Sequence, residues 1–208
     1  MVPSFRPDGS VVDLTAIGPE DIDFGEMASA LSKIARFNGR YGCEAYSVAQ
    51  HSVFVADALF AETGDAVLAG CGLLHDGHEY LIGDLPSPTA RLIAHEVAAC
   101  GSPTLGDMVR DAIERMKTRL DGAIYAAAGI GYPQHYPAYV RQVKDMDERM
   151  LRAEGLSLFG KRAAAHLPAQ RRPVPPLRHP IAPWGPMKAE LAFLDRLEKY
   201  LNIVVRAA

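Results

Sequence analysis

The 208-residue chain is poor in cysteine, has a single tryptophan and carries little net charge. Its cysteines, Cys43, Cys71 and Cys100, are odd in number and lack paired metal-site spacing, which argues against a disulfide framework and for a reducing compartment. No apolar run approaches the roughly 18–20 residues of a membrane helix, and no leader pattern opens the chain. It therefore reads as a cytoplasmic protein with no membrane partner. A formal net charge of −3 leaves no basic footprint for nucleic acid, although a mononucleotide needs only local positive charge. No internal repeat is evident. What is present is globular: 49% of residues are hydrophobic and 23% charged, enough for one substantial core or two small ones.

Apolar residues recurring every three or four positions predict helices over 23–36, 47–62, 66–80, 90–100, 104–129, 138–157 and 187–203. Glycine- and proline-bearing turns divide them, and the fold class is all-α. Val11-Val12-Asp13-Leu14 reads as a short strand or arm ahead of these helices. Ser47-Val48-Ala49-Gln50 has the form of a capping box, in which the serine hydroxyl and the glutamine side chain both satisfy free amides at a helix start. Between Pro168 and Pro186, the run Arg171-Arg172-Pro173-Val174-Pro175-Pro176 reads as an irregular or polyproline segment: a tether, a subunit arm or an ordered wrap. Trp184 favours order, because a large aromatic ring gains most from burial. His166 and His179 read as surface residues.

The chemistry gathers in Leu73-Leu74-His75-Asp76-Gly77-His78-Glu79. A histidine and an aspartate stand there near the end of an apolar, small-residue stretch beginning at Ala66. Both are costly to bury unpaired, and a divalent cation is a partner for both at once. An isolated His-Asp pair is more often a solvated helix end beside a hydrogen-bonded core histidine. Other residues alter that reading. His51 lies in the apolar stripe of the helix begun at Ser47, with Val48, Val55 and Ala58, and should point inward. In Val143-Lys144-Asp145-Met146-Asp147, Asp147 lies beside the stripe formed by Val143, Met146, Met150 and Leu151.

In order and in helical setting, His51, His75-Asp76 and Asp147 resemble the HD-domain metal-dependent phosphohydrolases, most closely the branch of 5'-deoxynucleotidases and deoxynucleoside triphosphate phosphohydrolases. Four segments carry the resemblance: Ala35-Arg36-Phe37-Asn38-Gly39, Tyr46-Ser47-Val48-Ala49-Gln50-His51-Ser52, Leu74-His75-Asp76-Gly77-His78-Glu79 with Gly83-Asp84-Leu85-Pro86-Ser87-Pro88, and Val143-Lys144-Asp145-Met146-Asp147. It covers residues 20–154. It implies a single HD-type helical bundle over residues 1–208 with a metal site at its centre. His51, His75, Asp76 and Asp147 would ligate a divalent cation (Mn, Co, Zn or Mg), and the protein would be a homo-oligomer, a dimer or a hexamer.

Such a cation activates water and neutralises phosphoryl charge, and the implied reaction is hydrolysis of the 5'-phosphate ester of (deoxy)nucleotides. Glu79, one helical turn after His75, matches the glutamate that serves the catalytic step in the resembled family. Asp84, after a glycine in a proline-bounded loop, is a second candidate for handling water or the leaving oxygen; such a residue also suits a turn. Arg36, Phe37 and Asn38 are expected to contact substrate, Arg36 through its planar fork and Phe37 by stacking on the base. The chain departs from the branch in two places. Phe37 stands where a tryptophan is often found, and Ala90 stands where relatives carry a phosphate-directed lysine, leaving Arg91, Lys117 or Lys144 to supply that charge. Two other readings are a hydrolase of alarmones or cyclic nucleotides and a non-catalytic nucleotide-binding module. Glu79 is followed by Tyr80, whereas alarmone hydrolases carry an acidic pair there.

Overall fold

Ser47 opens the central helix of the fold. The computed structural model describes residues 1–42, 44–131, 133–167, 172, 173, 175, 177 and 180–205. In it the Ser47 hydroxyl accepts a hydrogen bond from the Gln50 amide at 3.2 Å and starts helix α2, Val48–Thr63. The reciprocal half of the expected capping box does not form. The Gln50 side chain instead donates to the Ala182 carbonyl at 2.8 Å and accepts from the Trp184 amide at 2.9 Å. A fully buried amide that satisfies two backbone groups of an irregular segment gains more than one that satisfies a single helix-end amide.

Helix α2 is buried continuously from Val48 to Ala56 and again at Ala58 and Leu59, so it is covered all round rather than on one face. Around it lie α1 (Phe24–Leu31), α3 (Ala66–Leu74), α7 (Pro137–Ala164) and α8 (Pro186–Leu201). Helix α8 buries Ala189, Phe193, Leu197 and Tyr200 at helical spacing. Its Arg196 and Tyr200 clamp Asp57 of α2 at 2.8 and 2.6 Å. Helix α3 packs so closely on α2 that a Cβ at Gly72 would stand 2.4 Å from a Leu59 methyl. That approach brings the end of α3 beside His51.

Two expected helices end early. The stretch predicted as 23–36 is helical only to Leu31, because Ala35 bridges Ser47 in antiparallel fashion, with Arg36 N donating to Tyr46 O at 2.9 Å and Val48 N to Ile34 O at 3.0 Å. The stretch predicted as 66–80 breaks after Leu74. Gly77 N donates to Leu74 O at 2.9 Å and Glu79 N to Asp76 O at 3.1 Å, so tight three-residue steps replace the helical ladder before the short α4, Glu79–Ile82. A Cβ at Gly77 would stand 2.9 Å from the Leu74 carbonyl oxygen and 3.3 Å from Ile124, and glycine alone leaves that space.

Helices α5 (Ser87–Cys100) and α6 (Pro103–Ala127) form a hairpin to one side, with Leu92, Ile93 and Met108 exposed. Helix α7 runs past its expected end, with a break at Gly160, where φ is 80°. At the N-terminus the expected strand exists: β2 (Val11–Asp13) pairs antiparallel with β1 (Pro3–Phe5), and Val12 packs on Leu120 and Ala123 of α6. The described part of the Pro-rich segment is a wrap, with Ile181 buried and the Trp184 ring edge-on to Phe54 at 5.1 Å. Pro168, Arg171, Val174, Pro176, His179 and Cys43 lie outside the described residues. Among the described residues, no helix is long and apolar enough to cross a membrane.

Candidate metal centre

Four side chains expected as ligands meet where α2, the end of α3 and α7 come together. His51 Nε2 lies 3.1 Å from Asp147 Oδ1 and 3.3 Å from His75 Nε2. Asp76 Oδ2 lies 3.2 Å from His75 Nε2 and 3.7 Å from His51 Nε2, and His75 Nε2 is 3.8 Å from Asp147 Oδ1. Ligands about 2.1 Å from a common ion are about 3.0–3.4 Å from their neighbours in octahedral or tetrahedral geometry, so most of these separations suit one divalent cation. The separations alone do not decide the matter, since hydrogen-bonded ion pairs have similar ones.

The orientation of the rings is more telling. His51 Nδ1 is engaged with Glu154 at 2.6 Å, and His75 Nδ1 with the Gly72 carbonyl at 2.7 Å. A carboxylate and a carbonyl can only accept, so both Nδ1 atoms carry the proton. With Nδ1 so tied back, the two Nε2 atoms are left 3.3 Å apart, beside Asp147 and Asp76. A positive charge there, as added protons or as a cation, would face Asp147 and Asp76. Burial, the largest influence on His51, opposes protonation, as does Arg36, yet Glu154 and Asp147 hold its pKa above the ordinary value. Burial of His75 is likewise outweighed, by Asp76 and Asp147. Burial pushes the carboxyls of Asp76 and Asp147 up, and the imidazoles draw both well below the carboxylate range. Two extra protons thus balance two carboxylates, and a divalent cation supplies the same two charges at the same point. The residues fit such an ion.

Glu154 is the floor of this arrangement. It is fully buried, engages His51, accepts from the Tyr46 hydroxyl at 2.9 Å and lies 3.2 Å from Arg36. Burial raises its pKa, but Arg36 and His51 bring it below the ordinary value. Arg36 spans the centre, its other guanidinium nitrogen 3.4 Å from Asp76. It is held inward by a left-handed turn in which Phe37 and Asn38, neither a glycine, have φ of 55° and 54°.

Glu79 stands at the start of α4, buried, with Oε2 lacking a hydrogen-bond partner. The break after Leu74 means that it shares no helical face with His75. The turn groups it instead with Asp76 and His78, whose ligand atoms and its own lie within 4.8 Å of one another. Burial, then Asp76 and Asp84, push its carboxyl up to about 9. Asp84 is half-buried and raised by burial, with Arg36 opposing. Of the three cations named for phosphate, Lys117 reaches this end of the molecule, where its charge acts on both Glu79 and Asp84. Arg91 is exposed and turned back onto the Ser87 carbonyl, and Lys144 is exposed on α7. Phe37 is half-buried and meets Phe159 and Tyr41 edge-on at 5.2 and 6.4 Å, while Asn38 is exposed.

No protein-family model matches the chain. The uncharacterized protein RCAP_rcc00048 of Rhodobacter capsulatus is 32% identical over 161 residues, covering 73% of this chain and 70% of that protein. The chain belongs to the same family as that protein.

Glu154, Tyr46, His78 and Asp121 are the residues of the centre to which the sequence reading gave no role. Glu154 had a signal: it follows Asp147 by seven residues, two helical turns, and so lies on the same face of α7. His78 stood inside the motif, but its partner Asp121, whose Oδ1 is 2.9 Å from His78 Nδ1, comes from α6 and has no local pattern.

Proposed function

We propose that this protein is a metal-dependent phosphohydrolase of the HD-domain type that removes the 5'-phosphate from (deoxy)nucleotides. The observation that carries this reading is the pair of imidazoles whose Nδ1 atoms are tied back and whose Nε2 atoms lie 3.3 Å apart, that of His51 at 3.1 Å and that of His75 at 3.8 Å from Asp147. His51, His75, Asp76 and Asp147 would hold the cation, which supplies Lewis acidity toward the phosphoryl oxygens and toward the attacking water. Arg36 and Lys117 lend positive charge to a bound phosphate. Glu79 handles the proton: as the bond from water oxygen to phosphorus forms and the bond from phosphorus to the sugar oxygen breaks, one proton leaves the water and one reaches the sugar oxygen. The Glu79 carboxyl, raised by burial, would give its proton to the sugar oxygen and take up the one the water loses, so that it ends as it began. Phe37, in its rim of aromatic rings, offers a flat apolar edge to a base. The exposed Leu92, Ile93 and Met108 give a homo-oligomer an apolar surface to bury.

Product analysis tests the reading. Purified protein is supplied in turn with Mn2+, Co2+, Zn2+ or Mg2+ and with deoxynucleoside mono-, di- and triphosphates. The expected result is cation-dependent release of nucleoside with phosphate or a longer phosphate chain, abolished together with cation binding in Asp76→Ala. Failure to cleave any of these nucleotides with any of the cations would overturn it.

A further inference from the structure

We infer that Asp76, His78 and Glu79 form a second divalent-cation site that shares Asp76 with the first. The inference deepens the proposed function and rests on it for the first cation. Its basis is a different set of atoms. His78 is 3% exposed, and with Nδ1 committed to Asp121 its Nε2 is buried with no hydrogen-bond partner. Glu79 is 5% exposed, and its Oε2 is likewise buried and unpartnered. These are the two residues that join Asp76 in a cluster whose ligand atoms lie within 4.8 Å of one another. An imidazole with one nitrogen fixed by a carboxylate and the other buried and left open has the arrangement of a metal-ligating histidine.

The backbone supports the same conclusion. The tight turn after Leu74, made possible by Gly77 against Ile124, folds residues 76, 78 and 79 onto one side. Asp121, one turn before Ile124 on α6, sets the His78 ring from the same helix face. Asp76 can serve both sites because a carboxylate has two oxygens, and its Oδ2 is the atom that faces His51 and His75. Glu79 bound through one oxygen is ionised, so with both cations in place its other oxygen accepts the proton that the attacking water loses and passes it to the sugar oxygen.

Charge favours two cations over one. Asp76, Glu79, Asp84, Asp121, Asp147 and Glu154 gather at this end of the described fold against the fixed cations Arg36 and Lys117. With every carboxyl ionised, one divalent ion leaves this group anionic where a phosphate must arrive, and a second brings it to neutrality.

The test is Mn2+ stoichiometry on the full chain, stripped with chelator and then titrated, with bound manganese counted by mass spectrometry after equilibrium dialysis. Low-temperature electron paramagnetic resonance reports whether bound ions are coupled. Wild type is expected to bind two Mn2+ per chain and to show the exchange-coupled signal of a close pair. His78→Gln should bind one, with the signal of an isolated ion. Asp121→Asn should weaken the second Mn2+ by about 10–100-fold and leave the first unchanged. One Mn2+ in both wild type and His78→Gln overturns the second site and leaves the proposed function standing. No Mn2+ in wild type overturns the first site and this one with it. Two in His78→Gln overturns the assignment of His78. Should circular dichroism show His78→Gln unfolded, Asp121→Asn decides: an unchanged second affinity refutes the inference.

Discussion

Replacing Glu154 by glutamine removes one negative charge from the floor of the centre while keeping the shape of the side chain. The carboxylate serves His51 at 2.6 Å, Tyr46 at 2.9 Å and Arg36 at 3.2 Å. Glutamine offers one accepting oxygen and a donating NH2 group. Its oxygen can satisfy His51 or Tyr46, but the NH2 then faces another donor, and Arg36 is left with Asp76 at 3.4 Å as its counter-charge. Removing one partner of a buried ion pair costs about 3–5 kcal/mol, and the surviving Asp76 contact argues for the lower end, about 3 kcal/mol. Loosening the carboxylate behind a ligating imidazole costs metal affinity as well, about 10–100-fold. The assays are urea unfolding and Mn2+ titration of the same preparations. Arg36→Gln with Glu154→Gln should be less damaging than the sum of the single changes, because each single variant strands its partner's charge. Stability within about 0.5 kcal/mol of wild type, the range of an ordinary surface change, together with undiminished Mn2+ affinity, would refute the role given to Glu154.

Glu79→Ala should keep the cation held by His51, His75, Asp76 and Asp147 and slow nucleotide turnover by about 10²–10⁴-fold; normal turnover with normal binding of that cation would leave Glu79 a mere buried helix-start charge. Phe37→Ala should weaken nucleotide substrates by about 1–3 kcal/mol and change p-nitrophenyl phosphate turnover much less. Equal losses on both would assign the ring to its packing against Tyr41 and Phe159. Asp57→Asn tests the clamp between α2 and α8. Burial raises the Asp57 carboxyl, but Arg196 and Tyr200 bring it below the ordinary value, so its stabilising effect is present above the unfolded pKa of about 3.9 and fades as pH falls through the lower folded value. The variant should be about 1.5–3 kcal/mol less stable at pH 7 by urea unfolding, with the gap closing in acid; a gap that persists in acid would assign the effect to packing.

What the sequence discloses, and what it hides, follows the range of the forces involved. Helix α2 was legible because Ser47 caps it locally and Gly64 ends it locally. The inward setting of His51 followed from helical spacing, and that of Asp147 from the stripe beside it. Reading 66–80 as one helix failed because a periodic pattern does not register a glycine packed against Ile124 from a distant helix. The same limit applies to Arg36. The resemblance names it as a substrate contact; its ion pairs with Glu154 and Asp76 depend on the bridge between Ala35 and Ser47 and on the left-handed turn at Phe37 and Asn38, which no local pattern signals. Gln50 was read as a cap because the capping-box pattern is local; its partners Ala182 and Trp184 are more than a hundred positions away. The first strand, Pro3–Phe5, is too short to signal itself without its partner.

Three histidines of the centre share one habit that separates them from core histidines. Nδ1 of His51, His75 and His78 is committed to Glu154, to the Gly72 carbonyl and to Asp121 respectively. A core imidazole is stable when both nitrogens are satisfied, because a buried unpaired nitrogen costs about 1–3 kcal/mol. Here the outer nitrogen is repeatedly fixed by an acceptor, and the inner one is aimed at other acceptors or at none. Packing alone gives no reason for that repetition on α2, at the end of α3 and in the turn that follows. Under the proposed function a cation would supply the reason, offering a ligand bond to the inner nitrogens of His51 and His75, now beside Asp147 and Asp76, and to that of His78, which has no hydrogen-bond partner. The break after Leu74 bears on the same cluster: in a continuous helix His78, two positions after Asp76, would point to another face, whereas the tight turn at Gly77 leaves His78 and Glu79 both beside Asp76.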